Sequence, residues 1–225
     1  MSGKRSGKEA FTFVDRVTGR RVLQLTNSSC ERSVHGYYDL PPWSRTTGRI
    51  VFSSAVPGAT EGDIYVMDRD GDNITYLAHS RVMTANGGAL AQWSADGRRI
   101  YFKDMEGDQH LIAWVDVESG EKGAFPGDLR MICPTGNWNV WHTNCGYYPD
   151  HEIVRRREEH GVFVQDLRTG KSKRLASIAD CWRIHPRRDE IKDWHLFVKH
   201  TKWSPDGQRI MFVFTNEIRY ERKYA

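Results

Sequence analysis

Histidines beside aromatic residues are the first candidates for chemistry in this sequence. His35 precedes Gly36-Tyr37-Tyr38, and His142 follows the aromatic stretch Trp138-Asn139-Val140-Trp141. An aromatic ring can stack on the face of a sugar while a neighbouring imidazole forms a hydrogen bond or exchanges a proton. We therefore predict that His35, Tyr37 and His142 contact a substrate. The alternative is that these rings only fill a core.

Two arginines in a charged stretch could bind carboxylates. Arg183 and Arg187 lie between residues 178 and 195, which we expect to form a long irregular loop. Planar guanidinium groups pair with carboxylates through two parallel hydrogen bonds, so these side chains could neutralise the carboxylate of a uronic acid. The alternative is a solvated loop in which the arginines pair with Asp189 and Glu190.

A histidine near the end of the chain is the last candidate. His200 and Lys202 would share one face of an extended strand, opposite to Trp203, because side chains alternate along a strand. His195 and His200 would point to opposite faces, so they could not ligate one metal ion from that strand. We predict that His200 contacts a substrate; the alternative is a histidine hydrogen-bonded within the sheet.

A repeated turn reveals the elements that must position these residues. Trp203-Ser204-Pro205-Asp206-Gly207 precedes an alternating apolar strand, and the same order recurs from Trp93 to Gly97 and, more loosely, from Trp43 to Gly48. Proline fixes the backbone at the second turn position and glycine accepts a positive φ, so each copy predicts a tight hairpin. A further, decayed copy is expected near residue 147, at Cys145-Gly146-Tyr147.

A second hairpin signal, an aspartate followed shortly by a glycine, alternates with the first. Its glycines, Gly19, Gly71, Gly120 and Gly170, are separated by 52, 49 and 50 residues. Two hairpins in every fifty residues is typical of β-propellers, in which each blade is a four-stranded antiparallel sheet. The repeat therefore predicts an all-β propeller.

The repeat also predicts how the blades divide the chain, which we interpret as one propeller domain. Three full blades occupy about residues 35–78, 88–126 and 136–177, with a half blade at 11–26 and an opening half blade at 195–215. Either the two halves pair into a composite fourth blade, or the chain is an incomplete part of a larger propeller. Exposed blade edges would allow self-association.

The overall composition excludes some classes of partner. The 33 Lys and Arg are interspersed with 29 Asp and Glu, giving a net charge of +4, so we expect no nucleic-acid stripe. We expect a cytoplasmic protein without a membrane partner, because the sequence shows no secretory signal and no long apolar stretch. Residues 1–10 are expected to form a frayed polar tail. Cys30, Cys133, Cys145 and Cys181 form no CxxC pair.

Residues near the start of the chain resemble a known family. The order Asp-x-x-Thr-Gly-x-x-Val-x-x-Leu-Thr at 15–26, followed by His35, Tyr37 and a hairpin ending at Ser53-Ser54, resembles the opening of the oligogalacturonide lyases. The Trp-Ser-x-Asp-Gly turns are equally similar to TolB-like propeller repeats. The lyase family is a seven-bladed propeller in which manganese, held mainly by histidines with a glutamine, assists β-elimination of galacturonide disaccharides.

The lyase resemblance implies an enzyme that acts, when complete, on an acidic oligosaccharide by metal-assisted β-elimination. It implies Mn²⁺ as cofactor, but the family's metal ligands belong to later blades, so no metal ligand or catalytic residue is assigned here. The alternatives are a non-catalytic TolB-like propeller that binds a protein or a sugar, and an inactive, truncated relic. Metalloprotease, serine hydrolase and nucleotide-binding motifs are absent from the sequence.

Overall fold

The computed structural model of the protein describes residues 5–29, 31–143 and 156–216. Backbone contacts divide the chain into two compact units, Met1–Leu129 (unit 1) and Arg130–Ala225 (unit 2). In the described part of the chain, regular structure is antiparallel β-sheet apart from one short α-helix.

Unit 1 contains one two-stranded hairpin and two four-stranded sheets. The hairpin pairs β1 (Phe11–Val14) with β2 (Arg21–Gln24). Sheet 1 consists, in spatial and chain order, of β3 (Arg32–Val34), β4 (Ile50–Ala55), β5 (Gly62–Met67) and β6 (Thr75–Ser80). Sheet 2 consists of β7 (Gln92–Trp93), β8 (Arg99–Glu106), β9 (Gln109–Asp116) and β10 (Lys122–Pro126).

Unit 2 contains one four-stranded sheet, a helix and a second two-stranded hairpin. Sheet 3 consists of β11 (Met131–Ile132), β12 (Trp138–His142), β13 (Gly161–Asp166) and β14 (Ser172–Ser177). The helix α1 (Ile178–Ile184) follows at once. The hairpin pairs β15 (Phe197–Trp203) with β16 (Ile210–Thr215).

The hydrophobic cores form where apolar side chains on adjacent strands lie opposite each other. In unit 1, Val51 lies opposite Val66 and Ile100 opposite Val115, and all four are at most 1% exposed. They belong to one apolar cluster that joins sheets 1 and 2. Each such side chain contributes about 1.5–3 kcal/mol through its removal from water. Unit 2 has a matching cluster, in which valines of sheet 3 pack on Val198 and the partly buried Trp203.

The predicted hairpin turns are present, but one copy lies elsewhere than expected. Ser94 N donates to Arg99 O at 2.8 Å, and Ser204 N donates to Arg209 O at 2.9 Å. The same bond, Cys133 N to Trp138 O at 2.7 Å, closes the turn of sheet 3. Residues 133–138 are therefore the further copy. The expected copy near residue 147 falls outside the described residues.

The copy at residues 133–138 was missed because its first tryptophan and its aspartate are replaced. Cys133-Pro134-Thr135-Gly136 keeps only the proline and glycine of Ser204-Pro205-Asp206-Gly207. It also lies 39 residues after Ser94 and 71 before Ser204. These two intervals are very unequal, whereas a copy near residue 147 would lie about midway between Trp93 and Trp203.

Residues 178–195 begin with helix α1, so the prediction that the whole segment is an irregular loop is wrong. Ser177 accepts a hydrogen bond from Asp180 N, and Asp180 accepts one from Ser177 N, which forms a capping box. These hydrogen bonds hold the pKa of the Asp180 carboxyl below its usual range. No helix in the described ranges is long and apolar enough to cross a membrane.

Residues 5–10 pack on sheet 1, so the prediction of a frayed tail is wrong for these residues. Ile74 N donates to Gly7 O at 2.9 Å, and the Arg5 side chain is only 7% exposed. The guanidinium group donates to Ser33 Oγ and Ser54 Oγ, both at 2.7 Å. The Arg5 side chain thus exchanges water for specific polar partners on sheet 1.

Candidate functional site

β15 carries a bulge at His200, one of the predicted site residues. The register against β16 shifts between Lys199 and Lys202, and His200 has a φ of 55°. A non-glycine residue in this left-handed region costs about 1–3 kcal/mol. Regular alternation, on which the predicted shared face of His200 and Lys202 depended, is interrupted there. His195 also lies outside the strand, which begins at Phe197.

The same strained conformation occurs at the matching position of sheet 2. Leu90 precedes Trp93 by three residues, as His200 precedes Trp203, and Leu90 has a φ of 51°. Strain at His200 is therefore a property of this repeat and not by itself a sign of function. What distinguishes the position in unit 2 is the imidazole that the bulge carries.

His142 and the bulge of β15 are brought together. His142 lies at the end of β12, and its Nδ1 is 3.0 Å from Oγ1 of Thr201, which is fully buried. The preceding Trp141 stacks on Phe163, with ring centroids 4.5 Å apart and planes at 16°. Of the predicted site residues, His142 therefore contacts Thr201 directly, and His200 is the residue before Thr201 in the sequence.

Two further histidines of unit 2 are buried. His160, just before β13, is 4% exposed. His195 is 0% exposed, and the centroids of its ring and the Phe197 ring lie 5.7 Å apart in an edge-to-face arrangement. Nevertheless, no three His, Cys, Asp or Glu side chains in the described ranges form a group that could hold a metal ion. The histidines therefore give unit 2 titratable groups but, as far as the described residues show, no metal centre.

Arg183 and Arg187 already have carboxylate partners. Arg183 donates to Asp180 Oδ1 at 2.9 Å and also pairs with Glu158. Arg187 Nε donates to Glu190 Oε2 at 2.9 Å, and this contact raises the pKa of Arg187 and lowers that of Glu190. Both arginines are exposed, so a substrate could reach them only in competition with these ion pairs.

In unit 1, His35 and Tyr37 follow β3. His35 is exposed, and the rings of Tyr37 and Tyr38 lie 4.4 Å apart at 53°. Gly36 between them is buried, and an added Cβ would lie 3.2 Å from Leu40 Cβ. A larger residue at position 36 would therefore crowd Leu40, and the chain here places one imidazole and two phenol rings directly after β3.

The polar cluster around Arg5 was missed by the sequence interpretation. Arg5 Nε donates to Glu9 Oε1 at 2.7 Å, and its guanidinium group lies 5.2 Å from the centre of the Phe52 ring. Ser54 Oγ donates to Glu31 Oε2 at 2.7 Å and extends the network. A basic residue in a polar tail gave no signal for this, because its partners come from strands far along the chain.

The two cysteines within the described ranges, Cys133 and Cys181, are buried. Cys133 and Cys181 are free and buried, and burial raises the pKa of the Cys181 thiol. A raised pKa disfavours the thiolate, which is the nucleophilic form. Cys30 and Cys145 lie outside the described residues.

No protein-family profile and no curated protein matches this sequence. Solved structures, in contrast, resemble it over nearly its whole length. An oligogalacturonate lyase in complex with manganese gives a TM-score of 0.58 at 16% identity, with 96% of this chain and 69% of that chain covered. The oligogalacturonate lyase of Vibrio parahaemolyticus gives 0.59 at 14%, with 94% and 54% covered.

TolB from Acinetobacter baumannii is similar to the same extent. It gives a TM-score of 0.56 at 14% identity, with 94% of this chain and 46% of that chain covered. The present chain thus spans between about half and two thirds of the length of these proteins. At such identities the likeness shows the fold alone. Together with the four-stranded antiparallel sheets, it confirms the predicted β-propeller class, with sheets 1 to 3 as blades.

Proposed function

We propose that this protein is a β-propeller that binds an acidic oligosaccharide of the uronic acid class and cleaves it by β-elimination. The observation that carries this proposal is the likeness of 96% of the chain to an oligogalacturonate lyase. The enzyme class and the substrate class are both inferred from that likeness, and the residues of unit 2 provide a place where such a sugar could bind.

The His142–Thr201 contact is the proposed sugar-binding part of unit 2. A hydrogen bond to a fully buried hydroxyl restricts the His142 ring, and an oriented imidazole can hold or accept a proton. His200 lies next to Thr201 on the bulge and would contact the same sugar. In unit 1, His35 and Tyr37 are the proposed contacts.

β-Elimination needs a base, an acid and neutralisation of the carboxylate. The base removes the proton from the carbon beside the carboxylate, the electron pair forms a C=C bond, and the glycosidic oxygen leaves with a proton from the acid. Arg183 and Arg187 could neutralise a carboxylate only by exchanging Asp180, Glu158 or Glu190 for it. No residue is assigned here as the base or the acid.

Manganese does not fit the described residues. The lyase structure is a manganese complex, but the described ranges contain no group of three His, Cys, Asp or Glu that could hold the ion. We therefore derive no step of the reaction through a metal.

A non-catalytic propeller, similar to TolB, is the second candidate. It is favoured by the occupied carboxylate partners of Arg183 and Arg187, and by the likeness to TolB at a TM-score of 0.56. Such a protein would bind a sugar or a protein ligand without cleaving it.

The test separates binding from cleavage. The full chain is titrated with trigalacturonate by calorimetry and is incubated with it in Mn²⁺ or in a chelator, while the ultraviolet absorbance of a new conjugated C=C bond is followed. We expect binding, a rise in absorbance, and at least a tenfold loss of affinity in His142→Ala and in His200→Ala.

His110→Ala is the matched control, because His110 is an exposed histidine on β9 of unit 1. It should bind trigalacturonate like the unmodified protein. Binding without any absorbance change would contradict the lyase proposal and support a non-catalytic binding propeller. The absence of binding would contradict both proposals.

A further inference from the structure

Unit 2 contains a groove that the proposed function does not use. Its volume is about 630 Å³, within the range of pockets that hold small ligands. It opens between the outer part of sheet 3 and the hairpin β15–β16. We call it the Trp138 groove, and the six lining residues that carry the argument are Trp138, Lys171, Lys173, Leu175, Trp203 and Ile210.

The apolar part of the groove arises from a change in the repeat. Trp138 ends the turn of sheet 3, and the three other turns have an arginine there, namely Arg49, Arg99 and Arg209. Trp138 is 39% exposed and Leu175 is 47% exposed, although both are large and apolar. Neighbouring exposed apolar side chains that line one cavity are typical of a binding surface.

The basic part of the groove is not neutralised. The ammonium groups of Lys171 and Lys173 form no ion pair or hydrogen bond with any residue that the structure describes. Asp166, the carboxylate of the lining, is already paired with Arg168 at 3.0 Å. The groove therefore combines an apolar floor with a positive rim whose two lysines are not paired with the carboxylate of the lining.

We propose that the Trp138 groove binds an extended acidic peptide in which large apolar residues are flanked by aspartate or glutamate. The apolar side chains would pack on Trp138 and Leu175, and the carboxylates would pair with Lys171 and Lys173. β14, which carries Lys173 and directly follows Lys171, is the terminal strand of sheet 3, so its outer backbone groups are available to an added strand.

A sugar is a poorer occupant of this groove. Its many hydroxyl groups need polar partners, and a buried hydroxyl without one costs about 1–3 kcal/mol. The hydroxyls of the lining are Thr169 and Ser172, and Ser172 Oγ already donates to Val164 O at 3.3 Å. An apolar peptide side chain makes no such demand.

One buried donor of the lining also lacks an acceptor. Trp203 Nε1 is buried and has no hydrogen-bond partner among the residues that the structure describes, whereas the matching Trp93 Nε1 donates to Pro42 O at 3.1 Å. A peptide carbonyl could supply the acceptor that the repeat provides in unit 1.

The test uses the full chain and a fluorescein-labelled peptide, Asp-Asp-Leu-Asp-Phe-Asp, with binding followed by fluorescence anisotropy. We expect saturable binding that weakens as salt is raised. The double variant Lys171→Ala/Lys173→Ala should lower the affinity at least tenfold. Trp138→Arg should also lower it at least fivefold, even though it adds positive charge, because the apolar floor is lost.

Trp138→Arg restores the residue found in the other three turns, so it should fold normally, as checked by its melting temperature. Lys192→Ala removes an exposed lysine elsewhere in unit 2 and should leave the affinity unchanged. Equal binding of a peptide with Lys in place of Asp, or wild-type affinity in the groove variants, would overturn the proposal. Displacement of the peptide by trigalacturonate would also overturn it and would assign the groove to a sugar. This readout does not depend on lyase activity.

Discussion

Arg5 shows how much one side chain can contribute to this structure. It joins residues 5–10 to sheet 1 through Ser33 and Ser54, pairs with Glu9 within the segment, and lies on the Phe52 ring. A charge that is 7% exposed is stabilising only while its partners remain in place. The N-terminal segment therefore depends on this cluster and not on its own local structure.

Replacing Arg5 by alanine should destabilise unit 1 strongly. Loss of the guanidinium group leaves Glu9 half-buried and unpaired, and breaking such a pair costs about 3 kcal/mol. Lys8→Ala is the matched control, because the Lys8–Asp72 pair is exposed and screened by solvent, so its loss should change the stability little. Urea denaturation followed by tryptophan fluorescence measures both, and equal losses would contradict the expectation.

Glu9 should make stability depend on pH in the acid range. The hydrogen bond from Arg5 is the main cause that holds the pKa of Glu9 below its ordinary value of 4.5. A lowered pKa gives stabilisation that is present above pH 4.5 and is lost as the pH falls through the folded-state pKa. Stability of Glu9→Gln should therefore fall less steeply below pH 4.5 than that of the unmodified protein.

The control for Glu9 is Glu118→Gln, since Glu118 is exposed and forms no ion pair within the described ranges. Its denaturation midpoints, measured over the same pH series, should follow those of the unmodified protein. If Glu9→Gln shows the same slope as Glu118→Gln, the Arg5–Glu9 pair does not contribute as described.

At the scale of the elements, the repeated turn joins neighbouring sheets. Gly97 has a φ of 72°, and a Cβ there would lie 2.0 Å from Thr46 Oγ1 in the preceding turn. Gly207 has a φ of 69°, and its Cβ would lie 2.1 Å from Thr135 Oγ1. In each pair the glycine is needed for its backbone conformation and also for the close contact.

The energetic cost of the left-handed backbone and the cost of the steric clash with threonine can be measured separately. Gly97→Ala and Gly207→Ala should each cost about 3 kcal/mol, from the left-handed backbone and the clash together. Gly120→Ala, with a φ of 73° and nothing within 4 Å of its Cβ, should cost only about 1 kcal/mol. Thr46→Ala should restore part of the loss in Gly97→Ala. Equal losses at all three glycines in urea denaturation would contradict the role of the contact.

The sequence was sufficient for elements whose signal is local. Glycines that follow Asp116 and Asp166 close hairpins at the predicted period, because turn chemistry involves neighbouring residues. Helix α1 was missed, although Ser177 and Asp180 form a capping-box pattern, because the surrounding charge density was taken as a sign of a loop.

The candidate site was less predictable, since its contacts join distant residues. The bulge at His200 depends on pairing with β16, and the contact from His142 to Thr201 spans 59 residues. Spacing alone cannot show such pairs. The roles of His35, Tyr37, Arg183 and Arg187 in binding stay predictions, as does the acidic oligosaccharide itself.

At the scale of the whole molecule, the two-stranded hairpins expose several large apolar side chains. Phe11 is 41% exposed, Phe13 40% and Leu23 47% on β1–β2, and Met211 is 58% exposed on β16. Exposed apolar strands with unpaired edges favour association with other chains. Self-association through these edges, and the assignment of all blades to one domain, stay predictions.

Replacing two exposed apolar side chains of the first hairpin by threonine should reduce self-association of the protein. The variant Phe13→Thr/Leu23→Thr keeps residues that favour strands but removes exposed apolar area. We expect a lower weight-average mass in sedimentation at high concentration, with unfolding unchanged. Val17→Thr is the control, because Val17 is 93% exposed in a turn and lies on no strand. An equal effect of both variants would argue against the first hairpin as the region through which the chains associate.

The threonine-to-glycine contact between successive turns has a consequence for how such proteins evolve. Within each unit one turn supplies the threonine and the following turn supplies the glycine, so a gene segment that is copied with both turns also copies the contact between them. Lineages could then add or drop whole blades without inventing a new interface each time.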